Sequence, residues 1–281
     1  MQITSIIFSK NRPIQLDLCL KSISKNFKDC TKSIVIHNNS EAFLESQKTL
    51  EKEHPDVEFW RQSDSLFKDV FHAVSGSENE LICFFTDDDI FYKEFKCDDY
   101  SFMNDDYLSC FSLRMGMNIT ERSHQGETGQ DICQKGWRTE NGMIAWSKTF
   151  HGYGSYWSYD LSVDGHIYRK EFVLRMMDEL CFLQSRYEWP NTPNVLEEAM
   201  QRFWAIGPNF VMGPEHSVVV NSPNNKVQDT HESNVAGEKY DYNSDTLLEK
   251  YNEGSRINLD SLDFSNIKCP HTEIDILKGI Q

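Results

Sequence analysis

The sequence predicts an α/β fold built on a parallel sheet. Two observations carry this. Over the first ninety residues short apolar runs alternate with helical stripes through short polar connections. The fourth run, Leu81-Ile82-Cys83-Phe84-Phe85-Thr86, passes straight into Asp87-Asp88-Asp89. A buried strand cannot hold three adjacent acids, so it ends there, at the rim of a sheet. Composition agrees: 281 residues with 39% hydrophobic and 12% aromatic content can fill a large core.

The elements follow in order. Ile3 to Phe8 reads as a strand, with Ser9-Lys10-Asn11-Arg12-Pro13 as its exit loop and Pro13 suited to a first helical position. Leu16, Leu20, Ile23 and Phe27 then mark a helix. Ser33 to His37 is a second strand, closed by Asn38-Asn39-Ser40, and Ser40 can cap a helix from Glu41 to about Glu53. Val57 to Trp60 is the third strand. Arg61 opens the next connection, and a helix carries Leu66, Phe67, Val70, Phe71 and Val74. Right-handed crossovers place every strand exit on one edge, so Asn11, Arg12, Asn38, Asn39, Arg61 and the acids face one crevice.

After Asp89 the rhythm changes. Tyr107 to Leu113 reads as a strand, and about Arg114 to Asn141 as a long polar loop. Gly142 to Trp146 and Ser155 to Tyr168 are aromatic, strand-like segments. Lys170 to Leu183 has helical spacing, a second helix opens at Asn194, and Ser217 to Val220 is a strand. Asn221 to Asn243 reads as irregular, and a weakly patterned tail follows. The expected division is a nucleotide-binding half over 1–106, an acceptor half of the same domain over 107–235, and a C-terminal extension over 236–281.

The net charge of −16 disfavours nucleic acid and anionic lipid as partners. Eight scattered cysteines with no C-x-x-C pair argue against a zinc site or disulfide framework and for a reducing compartment. No signal-like leader or run of about 18 apolar residues is seen, so a cytoplasmic location without a membrane span is expected. There is no GxGxxG or GxxxxGK[ST] loop, which argues against dinucleotide and P-loop enzymes.

Three hard oxygen ligands at a strand end suit Mg²⁺ or Mn²⁺, with substrate phosphate completing the shell. The motifs Ser5-Ile6-Ile7-Phe8-Ser9-Lys10-Asn11-Arg12-Pro13, Phe84-Phe85-Thr86-Asp87-Asp88-Asp89 and Asn194-Val195-Leu196-Glu197-Glu198 together resemble the GT-A glycosyltransferases, above all their family-2-like and exostosin-like branches. The likeness is spread over about residues 3–235. It implies a GT-A-like nucleotide-binding α/β half with a mixed acceptor half. The implied activity is metal-dependent transfer from a nucleotide-diphosphate sugar, UDP- or GDP-linked, to a glycan or other hydroxyl acceptor, in the hexosyltransferase class.

By that resemblance Asp87 and Asp89 occupy the two positions of a DxD motif and hold the metal, and Asp87 and Asp88 also reach the donor. Ser9, Asn11, Arg12, Asn38, Arg61 and Lys68 would complete the donor site. Asn38 and Asn39 stand where the family often has Asp. Glu198 would act at the reaction centre with Glu197 beside it, and inverting and retaining chemistry both stay open. A C-terminal His would be a further metal ligand, His231 or its rival His216. Asn224, Asn225 and Lys226 could close over the phosphates. Trp157, Asp160 and Asp164 would meet the acceptor. The alternatives are a sugar nucleotidyltransferase, whose usual glycine-rich loop is missing after the first strand, and a non-catalytic nucleotide- or carbohydrate-binding module.

Overall fold

Ile3–Ser9 forms β1, and every one of its seven residues is buried, as a central strand covered on both faces requires. Its neighbours are β2 (Cys30–His37) and β4 (Leu81–Thr86), both parallel to it, and β3 (Val57–Arg61) continues the sheet beyond β2. The crossovers are α1 (Pro13–Asn26), α2 (Leu44–Glu53) and α3 (Leu66–Ser75). This computed structural model describes residues 2–124, 127–139, 142–152, 154–183, 190–227 and 236–281.

The second half adds strands to the same sheet. After the short β5 (Asp89–Phe91) come β6 (Leu108–Ser112), the hairpin β7 (Glu121–His124) and β8 (Glu127–Gln130), β9 (Trp137–Arg138) and β10 (Met143–Ser147). They are followed by β11 (His166–Arg169), α4 (Lys170–Leu183), α5 (Pro193–Gln201), β12 (Phe210–Pro214), β13 (Val219–Asn221) and α6 (Ser244–Asn252). The strand order is β3-β2-β1-β4-β11-β6-β12-β10-β9. The fold is therefore α/β, with a parallel half and a mixed half sharing one sheet.

Directions along this sheet decide what meets at the edge. β11 is antiparallel to both β4 and β6, so β6 runs with β4, and β12 is parallel to β6. The exits of β1, β2, β4 and β6 and the entry of β11 consequently lie at one rim. β5 turns back from that rim and pairs with β13, setting Asp89 opposite Asn221.

Several local expectations need correction. Ser40 makes no side-chain cap; a 3₁₀ turn over Glu41–Phe43 leads into α2 instead. Within 114–141 the chain makes a hairpin and an edge strand rather than one long loop. β12 was unexpected because Phe210-Val211-Met212-Gly213-Pro214 is broken by two helix-and-strand breakers. The tail holds a helix, α6, capped by the Asn243 side chain and packed on α1 and α2. Tyr251 of α6 and Arg256 beyond it both bind Glu53, the last residue of α2. Among the described residues no helix is long and apolar enough to cross a membrane.

Candidate active site at the strand-end rim

The three acids remain in the protein after β4 ends. Asp87, Asp88 and Asp89 are 3%, 9% and 1% exposed, so each needs a partner. Arg12 supplies one from the loop after β1. Its Nη1 donates to Asp87 Oδ1 at 2.9 Å and to Asp88 Oδ2 at 2.8 Å. Its Nε donates to Asn225 Oδ1 at 2.7 Å, and Nη2 donates to the Asn225 carbonyl. The backbone prepares this. Asn11 has φ +54°, a left-handed conformation that Asn tolerates, and its Oδ1 accepts from Ser40 N at 2.9 Å. Lys10 N donates to Asp87 Oδ2 at 3.0 Å.

Asn221 serves the other two acids. Its Nδ2 faces Asp88 Oδ1 at 2.9 Å, Thr86 Oγ1 at 3.1 Å and Asp89 Oδ1 at 3.2 Å. His271 Nδ1 lies 3.1 Å from Asn221 Oδ1, and its Nε2 lies 3.5 Å from Arg114 Nη1. A guanidinium only donates, so Nε2 accepts and the proton sits on Nδ1, which donates to Asn221. That fixes the Asn221 amide with its N–H groups toward the acids. The C-terminal segment holds the arrangement: Asn221 N donates to the Pro270 carbonyl at 2.9 Å, and Ile274 N to Ser222 Oγ at 2.8 Å.

A second group joins from the mixed half. Asp164 precedes Gly165, whose φ of +67° turns the chain into β11 at the rim. Its Oδ1 accepts from Thr86 Oγ1 at 3.2 Å and its Oδ2 from Arg114 Nη1 at 3.0 Å. Arg114, the first charged residue after β6, is 2% exposed. Glu197 comes from α5, whose start is capped by Thr192 Oγ1 accepting from Val195 N. Gln201 Nε2 donates to the Leu161 carbonyl at 2.5 Å, tying α5 to the 161–164 segment. Glu197 Oε1 accepts from Val163 N at 3.2 Å. The half-buried Tyr159 hydrogen-bonds Glu197 and lies under the Arg114 guanidinium.

Five carboxylates thus face two guanidiniums, and their acidities show the imbalance. Burial pushes Asp87 up to about 6 against the pull of Arg12. Burial, then Asp164 and Asp88, lift Asp89 well above the usual range. Burial and Asp164 push Glu197 up to about 7, against Arg114. Asp164 is raised by burial despite Arg114.

The remaining predicted residues fall elsewhere. Ser9 is buried at the end of β1, and its carbonyl accepts from Asn38 N; the Asn38 side chain is exposed. Asn39 points inward, its Oδ1 accepting from Asn11 N and its Nδ2 donating to Gln47 at 3.0 Å. Arg61 and Lys68 are exposed and are not among the partners of the acids. Glu198 is exposed, one helical position away from the cluster that Glu197 faces. Trp157 is 1% exposed, edge-on to Trp146 at 4.9 Å, so it is core and offers no ring face to an acceptor. Asp160 is likewise internal, paired with the buried Lys148 at 2.9 Å. His216 is exposed on the approach to β13, and His231 lies outside the described residues. Sequence reasoning did not single out Arg114, Asn221 or His271 for the site. Only Arg114 carried a signal, as a charge at a strand exit.

The oxygen-rich, electron-excess donor set fits a hard divalent cation by its chemistry. Its present arrangement is closed, because Arg12 and Asn221 occupy the carboxylate oxygens. Among the described residues no three His, Cys, Asp or Glu side chains are grouped to hold a metal ion.

No protein-family model matches this sequence, and no curated protein does. Among solved structures, the chain is similar to S. aureus TarS, with a TM-score of 0.45 and 14% identity over 78% of this chain and 36% of that one. TarS 1–349 in complex with UDP-GlcNAc gives 0.46 and 14% over 76% and 56%. A mannosyltransferase from Pyrobaculum calidifontis, in complex with GDP-Man and Mn²⁺, gives 0.31 and 12% over 40% and 34%. The chain spans between 36% and 58% of the length of the TarS chains it matches.

Proposed function

We propose that this chain transfers a glycosyl group from a nucleotide-diphosphate sugar to a hydroxyl acceptor. The observation that carries this reading is the buried, charge-imbalanced carboxylate cluster at the exits of β1 and β4, with a carboxyl near neutrality beside it. Asp87, Asp88 and Asp89 are the residues that would hold Mn²⁺ or Mg²⁺. When bound there, the cation supplies Lewis-acid stabilisation of the leaving diphosphate. Ser9, Asn11 and Arg12 border the same rim and would take the donor, Arg12 through its guanidinium.

Glu197 replaces Glu198 as the group we place at the reaction centre. A carboxyl titrating near 7 is matched to general-base work at neutral pH, and Glu198 faces solvent. Asp164 acts electrostatically on both Glu197 and Asp89, which supports a reading in which donor and acceptor would meet near that residue. Tyr159, half-buried beside Glu197, would meet the acceptor in place of Trp157. Arg114 holds Asp164 in place and limits the repulsion within the cluster.

The test is thermal unfolding against UDP, GDP, CDP and ADP, each with and without Mn²⁺, followed by a donor-hydrolysis assay. A nucleotide at ~100 times its Kd stabilises the native state by about 2.7 kcal/mol. We expect one base to shift the midpoint, to need the cation, and to lose its effect in Asp89→Ala. No shift with any nucleotide overturns the reading; a shift without turnover makes the chain a binding module.

A further inference from the structure

We infer that Arg12 is the resident counter-ion of Asp87 and Asp88, and that it must leave them before a divalent cation can bind. The inference rests on the proposed donor site and adds an order of events to it: cation alone binds poorly, and the donor diphosphate enables it by giving Arg12 somewhere to go.

The geometry shows one guanidinium edge divided between two acids. Nη1 alone contacts both carboxylates, at 2.9 and 2.8 Å, while Nε and Nη2 are held by the side chain and carbonyl of Asn225. A divalent ion held by Asp87 and Asp88 would need the carboxylate oxygens that Arg12 now engages. Two cations within a few Å of each other in a site of low polarity repel strongly, so the occupancies exclude one another. Arg12 is 9% exposed, which keeps water from screening that competition.

A second observation shows what the closed arrangement lacks. Among the described residues, Asn225 Nδ2 and Gln15 Oε1 are both buried without a hydrogen-bond partner, beside Arg12. The two side chains meet through Gln15 Nε2 and Asn225 Oδ1 at 3.2 Å, which leaves the opposite atom of each amide unmatched. An unmatched buried donor is costly to leave so. A phosphate oxygen supplies the acceptor that Asn225 Nδ2 lacks and a bidentate partner for the released guanidinium. Arg12 and Asn225 together then form the anion side of the site, and Asp87 and Asp88 the cation side.

The experiment follows free Mn²⁺ by its paramagnetic resonance signal, so it needs no turnover. Wild type, Arg12→Gln and Asn225→Ala are titrated with Mn²⁺ alone and again with the nucleotide diphosphate. In Arg12→Gln the affinity for Mn²⁺ alone should rise at least ten-fold, and added nucleotide should improve it by a smaller factor than in wild type. Asn225→Ala, which keeps the guanidinium but loosens its seat, should move the same way by less, and stands in if Arg12→Gln fails to fold. Mn²⁺ affinity equal to or below wild type in both variants overturns the inference. Failure of the glycosyltransferase reading looks different: wild type then gains no Mn²⁺ affinity from any nucleotide, whatever the variants do with Mn²⁺ alone.

Discussion

Replacing Glu197 with Gln should make the protein more stable at alkaline pH while abolishing the proposed transfer. Burial and Asp164 hold this carboxyl protonated up to about pH 7 in the folded chain, against an ordinary value of 4.5. Folding therefore takes up a proton between those two pH values. The native state binds more protons than the unfolded chain there, so stability falls as pH rises from about 4.5 and levels off above 7. A displacement of that size corresponds to a penalty of ~3 kcal/mol above pH 7 and about 1 kcal/mol at pH 5. Gln keeps the oxygen that accepts from Val163 N and carries no charge, so it should recover most of the penalty.

Urea unfolding of wild type and Glu197→Gln at pH 5 and pH 8 measures this directly. The variant should exceed wild type by ~3 kcal/mol at pH 8, worth about 5 °C in midpoint for a chain of this length, and by about 1 kcal/mol at pH 5. Equal stability at pH 8, or a difference that does not change with pH, would refute the reasoning, because Glu197 would then ionise as an ordinary surface acid. A gain in stability joined to a loss of turnover separates a functional carboxylate from a structural one.

Three further outcomes are expected. Trp157→Ala should cost 3–5 kcal/mol in denaturant unfolding, since it empties a core site against Trp146; an acceptor platform in solvent would cost almost nothing. Lys148→Met leaves Asp160 buried without its counter-ion and should cost about 3–5 kcal/mol, with most of it restored in the Lys148→Met, Asp160→Leu double variant, read by the same unfolding assay. His271→Ala removes the ring nitrogen that orients Asn221 and should cost about 1–2 kcal/mol while weakening the proposed Mn²⁺-dependent nucleotide binding, measured by calorimetry; unchanged binding would make the contact purely structural.

The sequence made one half of this site readable and hid the other for a physical reason. Asp87-Asp88-Asp89 and Arg12 could be placed because a parallel strand has one exit, and the acids after an apolar run mark it. Arg114 obeys the same rule, but its strand belongs to the mixed half, where direction depends on β11 lying antiparallel between β4 and β6. That arrangement pairs His166 with Phe84 on one side and Ser112 on the other, residues far apart in the chain, and no local pattern encodes it. Asn221 meets Asp89 only through the β5–β13 register, and His271 meets Asn221 only because the tail folds back over the 221–225 loop. Glu197 and Glu198 show the same limit at the scale of one residue. The expected helix start at Asn194 lies one residue from Pro193, where α5 begins, yet the face turned to Asp164 follows from where α5 docks, which Gln201 fixes at Leu161. Local chemistry therefore locates the charged groups, and long-range pairing decides which of them act on one another. In this rim the deciding contacts are amides and an imidazole, side chains whose patterns in a sequence carry almost no signal. Their effect is nonetheless large, because buried carboxylates with too few cations are oriented by whatever neutral donors surround them.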